Sequence, residues 1–114
     1  MKTFLAEDEK VSHCGQMWYR TPAEGIFGAT WKTGHLYLTN KNLYWYYDFD
    51  RKVMFQIPLD ELKEVRVEKG ESYNAAGKEV LIVKPKTTNY REAYLSAKKE
   101  LLQEWKKVLN QIID

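Results

Sequence analysis

The residues that could act as nucleophiles, bases or metal ligands are few and poorly spaced for any of these roles. His13 and Cys14 are adjacent, so on a strand their side chains would point to opposite faces and could not form a nucleophile–base pair. His35 lies apart from both. Two histidines and one cysteine also fall short of the roughly four ligands of a structural zinc site. We therefore predict no catalytic residue, no metal and no cofactor.

Paired carboxylates could in principle supply general acid–base chemistry. The pairs Glu7/Glu9 and Asp48/Asp50 lie in terminal or turn segments, where we interpret them as solvated charge. The sequence also contains no glycine-rich loop of the type that binds phosphate groups. These patterns favour a protein that binds a partner rather than an enzyme.

Short alternating segments separated by turn residues predict about seven strands. Gly15 interrupts the first of them and suggests a β-bulge. The continuous apolar run at 80–83 predicts a strand covered on both faces. The alternation places Leu36 and Leu38 on one face of the second strand and Leu43, Trp45 and Tyr47 on one face of the third. The fourth strand is predicted from Val53, Phe55 and Ile57. The seven predicted strands are 11–19, 35–39, 43–47, 53–57, 62–67, 80–83 and 90–95.

One amphipathic helix is predicted over residues 97–113, with the Ser96 hydroxyl as its N-terminal cap. Its apolar positions fall on one side at 100° per residue. This apolar stripe would be exposed to solvent if the helix did not pack against the sheet. We therefore expect the helix to close an open end or seam of the strands. The stripe consists of Leu101, Leu102, Trp105, Val108, Leu109, Ile112 and Ile113.

Composition places the chain among single-domain globular proteins, because 114 residues with 44% apolar content can form one core. A net charge of +2 does not indicate nucleic-acid binding. The single cysteine suits a reducing compartment, and no apolar run reaches the roughly 18–20 residues that span a bilayer. The acidic cluster near the start is unlike a signal peptide. We expect a cytoplasmic protein that is either free or peripheral at a membrane.

Several motifs resemble those of a known family. Residues 34–43, GHLYLTNKNL, resemble the GxLYLTxxxL signature of GRAM domains, a branch of the pleckstrin-homology (PH) superfold. Residues 9–11 are similar to the short opening motif of these domains, and residues 57–65 resemble their IPLxxIxxV segment. A C-terminal helix carrying Trp105 resembles the closing PH-type helix. The resemblance covers residues 9–113.

This resemblance implies a mainly β, PH-like fold in which a seven-stranded bent sheet, or partly open barrel, is capped by one C-terminal helix. Residues 9–114 would form this single domain, preceded by a flexible lead-in over residues 1–8. The family implies a non-catalytic module that binds membrane lipids or proteins. One departure is that the connection 20–33 is long and lacks the Lys-x-Arg pairing of phosphoinositide-binding PH domains.

Loop charges predict where a partner would bind. In an up-and-down barrel alternate connections share one end, and the connections 20–33, 48–52 and 84–91 carry an excess of basic residues. Ile26 and Phe27 lie in the first of them, where they either insert into a partner or fold back onto the domain. We expect this end to face a protein partner or an anionic membrane surface. Its basic residues are Arg20, Lys32, Arg51, Lys52, Lys84, Lys86 and Arg91.

Three other interpretations remain open from the sequence. The barrel could carry a small apolar ligand, as some small β-barrels do. Tyr44 and Tyr46 could form an exposed aromatic patch on the outer face of their strand. A sheet edge could pair with a peptide or with a second copy of the chain, which would give a homo-oligomer.

Overall fold

A computed structural model describes residues 8–21, 31–69 and 79–113 of the chain. Within these residues the fold is mainly β, with seven strands and one C-terminal helix, as predicted. A 3₁₀ turn at Leu59–Glu61 joins the fourth strand to the fifth. The elements are β1 Val11–Arg20, β2 Trp31–Thr39, β3 Asn42–Tyr47, β4 Lys52–Pro58, β5 Leu62–Lys69, β6 Glu79–Pro85, β7 Ala93–Ala97 and α1 Lys99–Ile113.

The seven strands form one antiparallel sheet in the order β4-β3-β2-β1-β7-β6-β5. Strands β1–β4 and β5–β7 are therefore two meanders that meet where β1 lies beside β7. Two residue pairs make this junction, Trp18 with Ser96 and Tyr19 with Leu95. The sheet curls into a half-barrel, and α1 packs mainly against β5 and β6. The outer edges are β4 and β5, and pairing of an edge with a second copy stays a prediction.

The inner face of the curled sheet is filled by the predicted alternating side chains. Leu36, Leu43, Trp45 and Leu95 are fully buried in one core cluster. Val80, Leu81, Ile82 and Val83 are all fully buried, which confirms that both faces of β6 are covered. A register irregularity between Trp45 and Tyr46 shifts the alternation of β4, so that Met54 packs against the core, as Phe55 and Ile57 do.

Gly34 leaves room for the side chain of Trp45 to extend from β3 across β2 to β1. The indole Nε1 of Trp45 donates a hydrogen bond to the backbone oxygen of Met17, at 3.2 Å. A Cβ on Gly34 would lie 2.3 Å from the backbone oxygen of Tyr46 and 2.6 Å from Cζ2 of Trp45. The glycine that opens the GHLYLTNKNL segment is thus required by close packing of two strands and an indole ring.

Gly15 has a packing role that differs from the predicted bulge. The register irregularity in β1 lies between Val11 and His13, so the bulge is not at Gly15. A Cβ on Gly15 would lie 2.8 Å from Nε1 of Trp105 and 3.5 Å from Cδ1 of Leu101. The absent side chain is what allows α1 to approach β1.

Helix α1 buries the centre of its predicted stripe. Leu102, Trp105 and Leu109 are buried, whereas Ile112 at the end of the helix is 36% exposed. The predicted cap is wrong: Ser96 belongs to β7, and its hydroxyl donates to the backbone oxygen of Glu79 at 2.9 Å. No helix in the described part of the chain is long and apolar enough to span a membrane.

A buried carboxylate fastens the start of the domain to the β2–β3 turn. Glu9 is only 8% exposed, so its interpretation as solvated charge is wrong. Its two carboxylate oxygens accept hydrogen bonds from the hydroxyl of Tyr44, at 2.9 and 2.7 Å. The hydroxyl of Thr39 and the side-chain amide of Asn42 also donate to Glu9. We call these four residues the Glu9 clamp, and it joins the opening motif to the GHLYLTNKNL segment.

The lead-in of residues 1–8 falls largely outside the described residues, which begin at Asp8. The carboxylate of Asp8 pairs with Nζ of Lys41 at 2.7 Å, and its backbone oxygen accepts from the side chain of Asn40 at 3.3 Å. The backbone N–H of Lys10 donates to Oδ1 of Asn40, and the backbone N–H of Asn40 donates to the backbone oxygen of Lys10. Residues 8–10 therefore lie along the β2–β3 turn.

We expect stability to fall between about pH 10 and pH 12. Burial raises the pKa of Tyr37 and of Tyr44 to about 12, from an ordinary value of 10.0. A raised pKa in the folded state means that stability is complete below the unfolded pKa and is lost as the pH rises through the folded one. The urea midpoint at pH 11 should therefore be lower than the urea midpoint at pH 9. The difference between the two midpoints should be smaller in Tyr44→Phe than in the unmodified domain. Equal midpoints at the two pH values would contradict this expectation.

Candidate binding rim

Three aromatic side chains of strand β3 and its following turn lead from the core to solvent. Trp45 is fully buried and its ring stacks on Tyr47, with centroids 5.8 Å apart. The ring of Tyr47 lies 6.0 Å from that of Phe49, which is 84% exposed at the β3–β4 turn. We call these three residues the aromatic ladder. The ladder exposes the large apolar side chain of Phe49 to solvent, while Trp45 anchors the other end of the ladder in the core.

One basic side chain contacts the ladder, and others lie at the same end of the sheet. Nζ of Lys32 lies 5.2 Å from the ring centroid of Tyr47, and the guanidinium of Arg20 lies 5.7 Å from that of Tyr94. Both distances are within the range of cation–π attraction. Burial raises the pKa of Tyr19, and the positive charge of Arg91 partly opposes this effect, so Arg91 also acts at this end.

The acidic residues of the β3–β4 turn already have partners. Oδ2 of Asp48 lies 2.7 Å from Nδ1 of His35, and Oδ2 of Asp50 lies 3.7 Å from Nζ of Lys52. Arg51, which has a left-handed backbone with φ of 53°, forms no ion pair within the described part of the chain. We call Arg20, Lys32, Arg51, Lys52 and Arg91, together with Phe49, the basic rim.

Strand directions place the β1–β2, β3–β4 and β6–β7 connections at one end of the sheet. The β4–β5 connection, however, borders the β6–β7 turn. The backbone N–H of Lys86 donates to the oxygen of Glu61 at 2.8 Å, and Lys84 lies opposite Glu64 in the β5–β6 ladder. The prediction that Glu61 lies at the far end from Lys86 is therefore wrong. Lys84 and Lys86 occupy a mixed-charge corner beside Glu64 and Glu61.

Phe49 was not among the predicted site residues, whose apolar members were Ile26 and Phe27. Ile26 and Phe27 lie outside the described residues. A usable signal was present, because the alternation of Trp45 and Tyr47 continues to Phe49 beyond the predicted end of the strand. The proposed exposed patch on the other face is wrong for Tyr44, which is buried in the Glu9 clamp.

The reactive side chains are dispersed as the sequence predicts. His13 faces α1, with its ring centroid 6.0 Å from that of Trp105, whereas Cys14 hydrogen-bonds to Tyr37 on the opposite face. Burial raises the pKa of the Cys14 thiol, which disfavours the thiolate. Among the described residues, no group of three or more His, Cys, Asp or Glu side chains is arranged to hold a metal ion. The side chains that fill the half-barrel give no support to a ligand carrier.

The curled seven-stranded sheet closed by one C-terminal helix defines a PH-like fold, and solved structures share it. The hSac2 domain from human phosphoinositide phosphatase Sac2 matches with a TM-score of 0.68 and 19% identity, over 98% of this chain and 75% of that one. A human PH domain, that of pleckstrin homology domain-containing protein family A member 5, gives 0.63 and 15%, over 96% and 81%. The C-terminal domain of an unknown protein from Leishmania infantum gives 0.64 and 18%, over 93% and 86%. At these identities the likeness shows the fold alone.

Residues 2–112 match the GRAM domain family. The chain belongs to this family, whose members, like other PH-like domains, are typically modules that bind lipids or proteins and generally lack catalytic activity. No curated protein sequence matches the chain.

Proposed function

We propose that this domain is a non-catalytic adaptor that docks on an anionic membrane surface through the basic rim. The observation that carries the proposal is the 84% exposure of Phe49 at a turn flanked by Arg51 and Lys52. An exposed aromatic residue beside basic residues is the arrangement that inserts into a lipid interface while its neighbours meet anionic headgroups. A protruding side chain of this kind needs no complementary pocket.

The expected affinity is modest and depends on salt. Burying one phenylalanine side chain contributes about 1.5–3 kcal/mol, and each Lys or Arg near an anionic leaflet contributes about 1 kcal/mol. Asp48 and Asp50 reduce the net charge of the turn, although their pairing with His35 and Lys52 leaves Arg51 without a competing acidic partner. Salt shortens the reach of the charges but leaves the contribution of Phe49 nearly unchanged.

Phe49→Ala should weaken binding to vesicles of phosphatidylcholine with phosphatidylserine by about tenfold, because the removed ring accounts for most of the apolar insertion. Co-sedimentation at low salt measures this change. Ile112→Ala is the matched control, since Ile112 is the other large apolar side chain exposed among the described residues and lies on α1. Equal losses from the two variants would show that the rim is not the docking site.

The contribution of the basic residues of the rim is tested by a separate pair of variants. Arg51→Glu should reduce binding to the same vesicles, whereas Lys107→Glu, an exposed change on α1, should have little effect. Vesicles of phosphatidylcholine alone should bind weakly. Absence of any preference for phosphatidylserine at low salt would overturn the membrane proposal and favour a protein partner for the rim.

A further inference from the structure

At the junction between the two meanders, part of strand β1 has a described neighbour on one side only. On one side β1 pairs with β2 from Val11 to Arg20. On the other side it pairs with β7 only at Trp18 and Tyr19. Because alternate residues of a strand direct their backbone N–H and C=O groups to opposite sides, residues 11–17 present an edge that no described strand occupies. Such an edge can accept another strand.

A cleft lies where β7 leaves β1. Its volume is about 370 Å³, and its walls include the apolar side chains of Met17, Ala97 and Leu101. Lys98 and Thr33 supply polar groups at its border. The volume is sufficient for a large apolar side chain, and the apolar wall favours one.

A second, smaller hollow extends the cleft along β1. It has a volume of about 60 Å³ and shares Leu101 with the cleft. His13 and Cys14 form its β1 side, and Trp105 and Glu104 belong to its helical side. We call the two hollows together the β1–α1 groove. One wall is an unpaired strand edge and the other is an apolar helix surface.

The helix cannot itself satisfy the open edge of β1. It approaches the inner face of the strand at Gly15, where the position of a Cβ would be 2.8 Å from Trp105. Backbone N–H and C=O groups within a helix bond to one another, so α1 contributes side chains but no ladder hydrogen bonds here. Among the described residues no strand pairs with the β1 groups that face the groove, so an added strand can form ladder hydrogen bonds with them.

We propose that the β1–α1 groove binds an extended peptide segment of a partner protein as an added strand antiparallel to β1. The peptide would continue the line of β7 beyond Ala97, with one bulky apolar side chain in the cleft. Lys98 lies beside the end of the groove where such a peptide begins, and Glu104 lies towards the end where it finishes. Charge complementarity therefore favours an acidic residue early in the peptide and a basic residue late in it.

The test uses two fluorescent decapeptides of alternating valine and threonine, each with one valine near its start replaced by phenylalanine to fill the cleft. One begins with glutamate and ends with lysine, and the second has these two charges exchanged. The first should bind at least about tenfold more tightly, and the double variant Lys98→Glu with Glu104→Lys should invert this preference. Both positions are exposed, so the variant should remain folded. Lys107→Glu, on an exposed part of α1, should leave the preference unchanged.

Amide chemical shifts locate the bound peptide. Residues 12–17 and Leu101 should show the largest changes on titration of the matched peptide, and Phe49→Ala should bind the peptide as the unmodified domain does. No saturable binding below about 1 mM, a value that corresponds to roughly −4 kcal/mol, would overturn the proposal. Shifts confined to the outer edges β4 or β5, or a preference unaffected by the double variant, would also overturn it. Failure of vesicle binding would not affect these readouts, since the two sites are separate.

Discussion

Gly34→Ala is expected to lower the free energy of unfolding by about 3 kcal/mol, at the upper end of the cost of overpacking a core. The new Cβ would lie 2.3 Å from the backbone oxygen of Tyr46, which cannot move without separating β2 from β3. It would also displace the indole of Trp45 and weaken its hydrogen bond to the oxygen of Met17. Urea denaturation followed by tryptophan fluorescence measures the change.

Gly15→Ala is the matched control for this substitution. The atoms nearest to its added Cβ belong to the side chains of Trp105 and Leu101, which can shift more readily than a strand backbone. We therefore expect a smaller loss, about 1 kcal/mol. A loss from Gly15→Ala that equals or exceeds the loss from Gly34→Ala would contradict this account of the two glycines.

Tyr44→Phe should cost about 2 kcal/mol, because a buried carboxylate loses its phenol donor. The hydroxyl of Tyr44 lies 2.9 and 2.7 Å from the two oxygens of Glu9. Thr39 and Asn42 remain as donors in the variant, so the domain should fold with a lower urea midpoint.

Tyr47→Phe provides the comparison for the lost hydroxyl. Tyr47 lies on the opposite face of the same strand, and within the described residues its hydroxyl makes no hydrogen bond. Its replacement should change the urea midpoint little. If Tyr44→Phe and Tyr47→Phe had the same small effect, the Glu9 clamp would not contribute to stability as argued here.

Periodicity was sufficient to predict the sheet and the helix because burial repeats every second residue in a strand and every third or fourth in a helix. Leu36, Leu43 and Trp45 face the core for this reason, and Leu102 and Leu109 do so on α1. The assignments that failed depend on contacts between distant segments. No local pattern shows that Ser96 bonds to the backbone of Glu79 rather than capping a helix.

The candidate site was less predictable than the fold for the same reason. Glu9 reads as a surface charge until the β2–β3 turn supplies Thr39 and Tyr44 as its donors. The grouping of basic loops followed from strand direction, but the corner at which Glu61 meets Lys86 follows from the curl of the sheet. Phe49 was overlooked because the third strand was predicted to end at Tyr47, although the alternation of Trp45 and Tyr47 continues to it.

The narrow junction at Trp18 and Tyr19 also has a kinetic consequence. Within each meander the pairing partners are close in the chain, so their contacts close short loops and form early. Trp18 and Ser96 are far apart in the chain, and their pairing yields few hydrogen bonds for the entropy it costs. We therefore expect closure of the half-barrel to be the late step in assembly, and to depend on burial of α1 more than on the two-pair strand ladder.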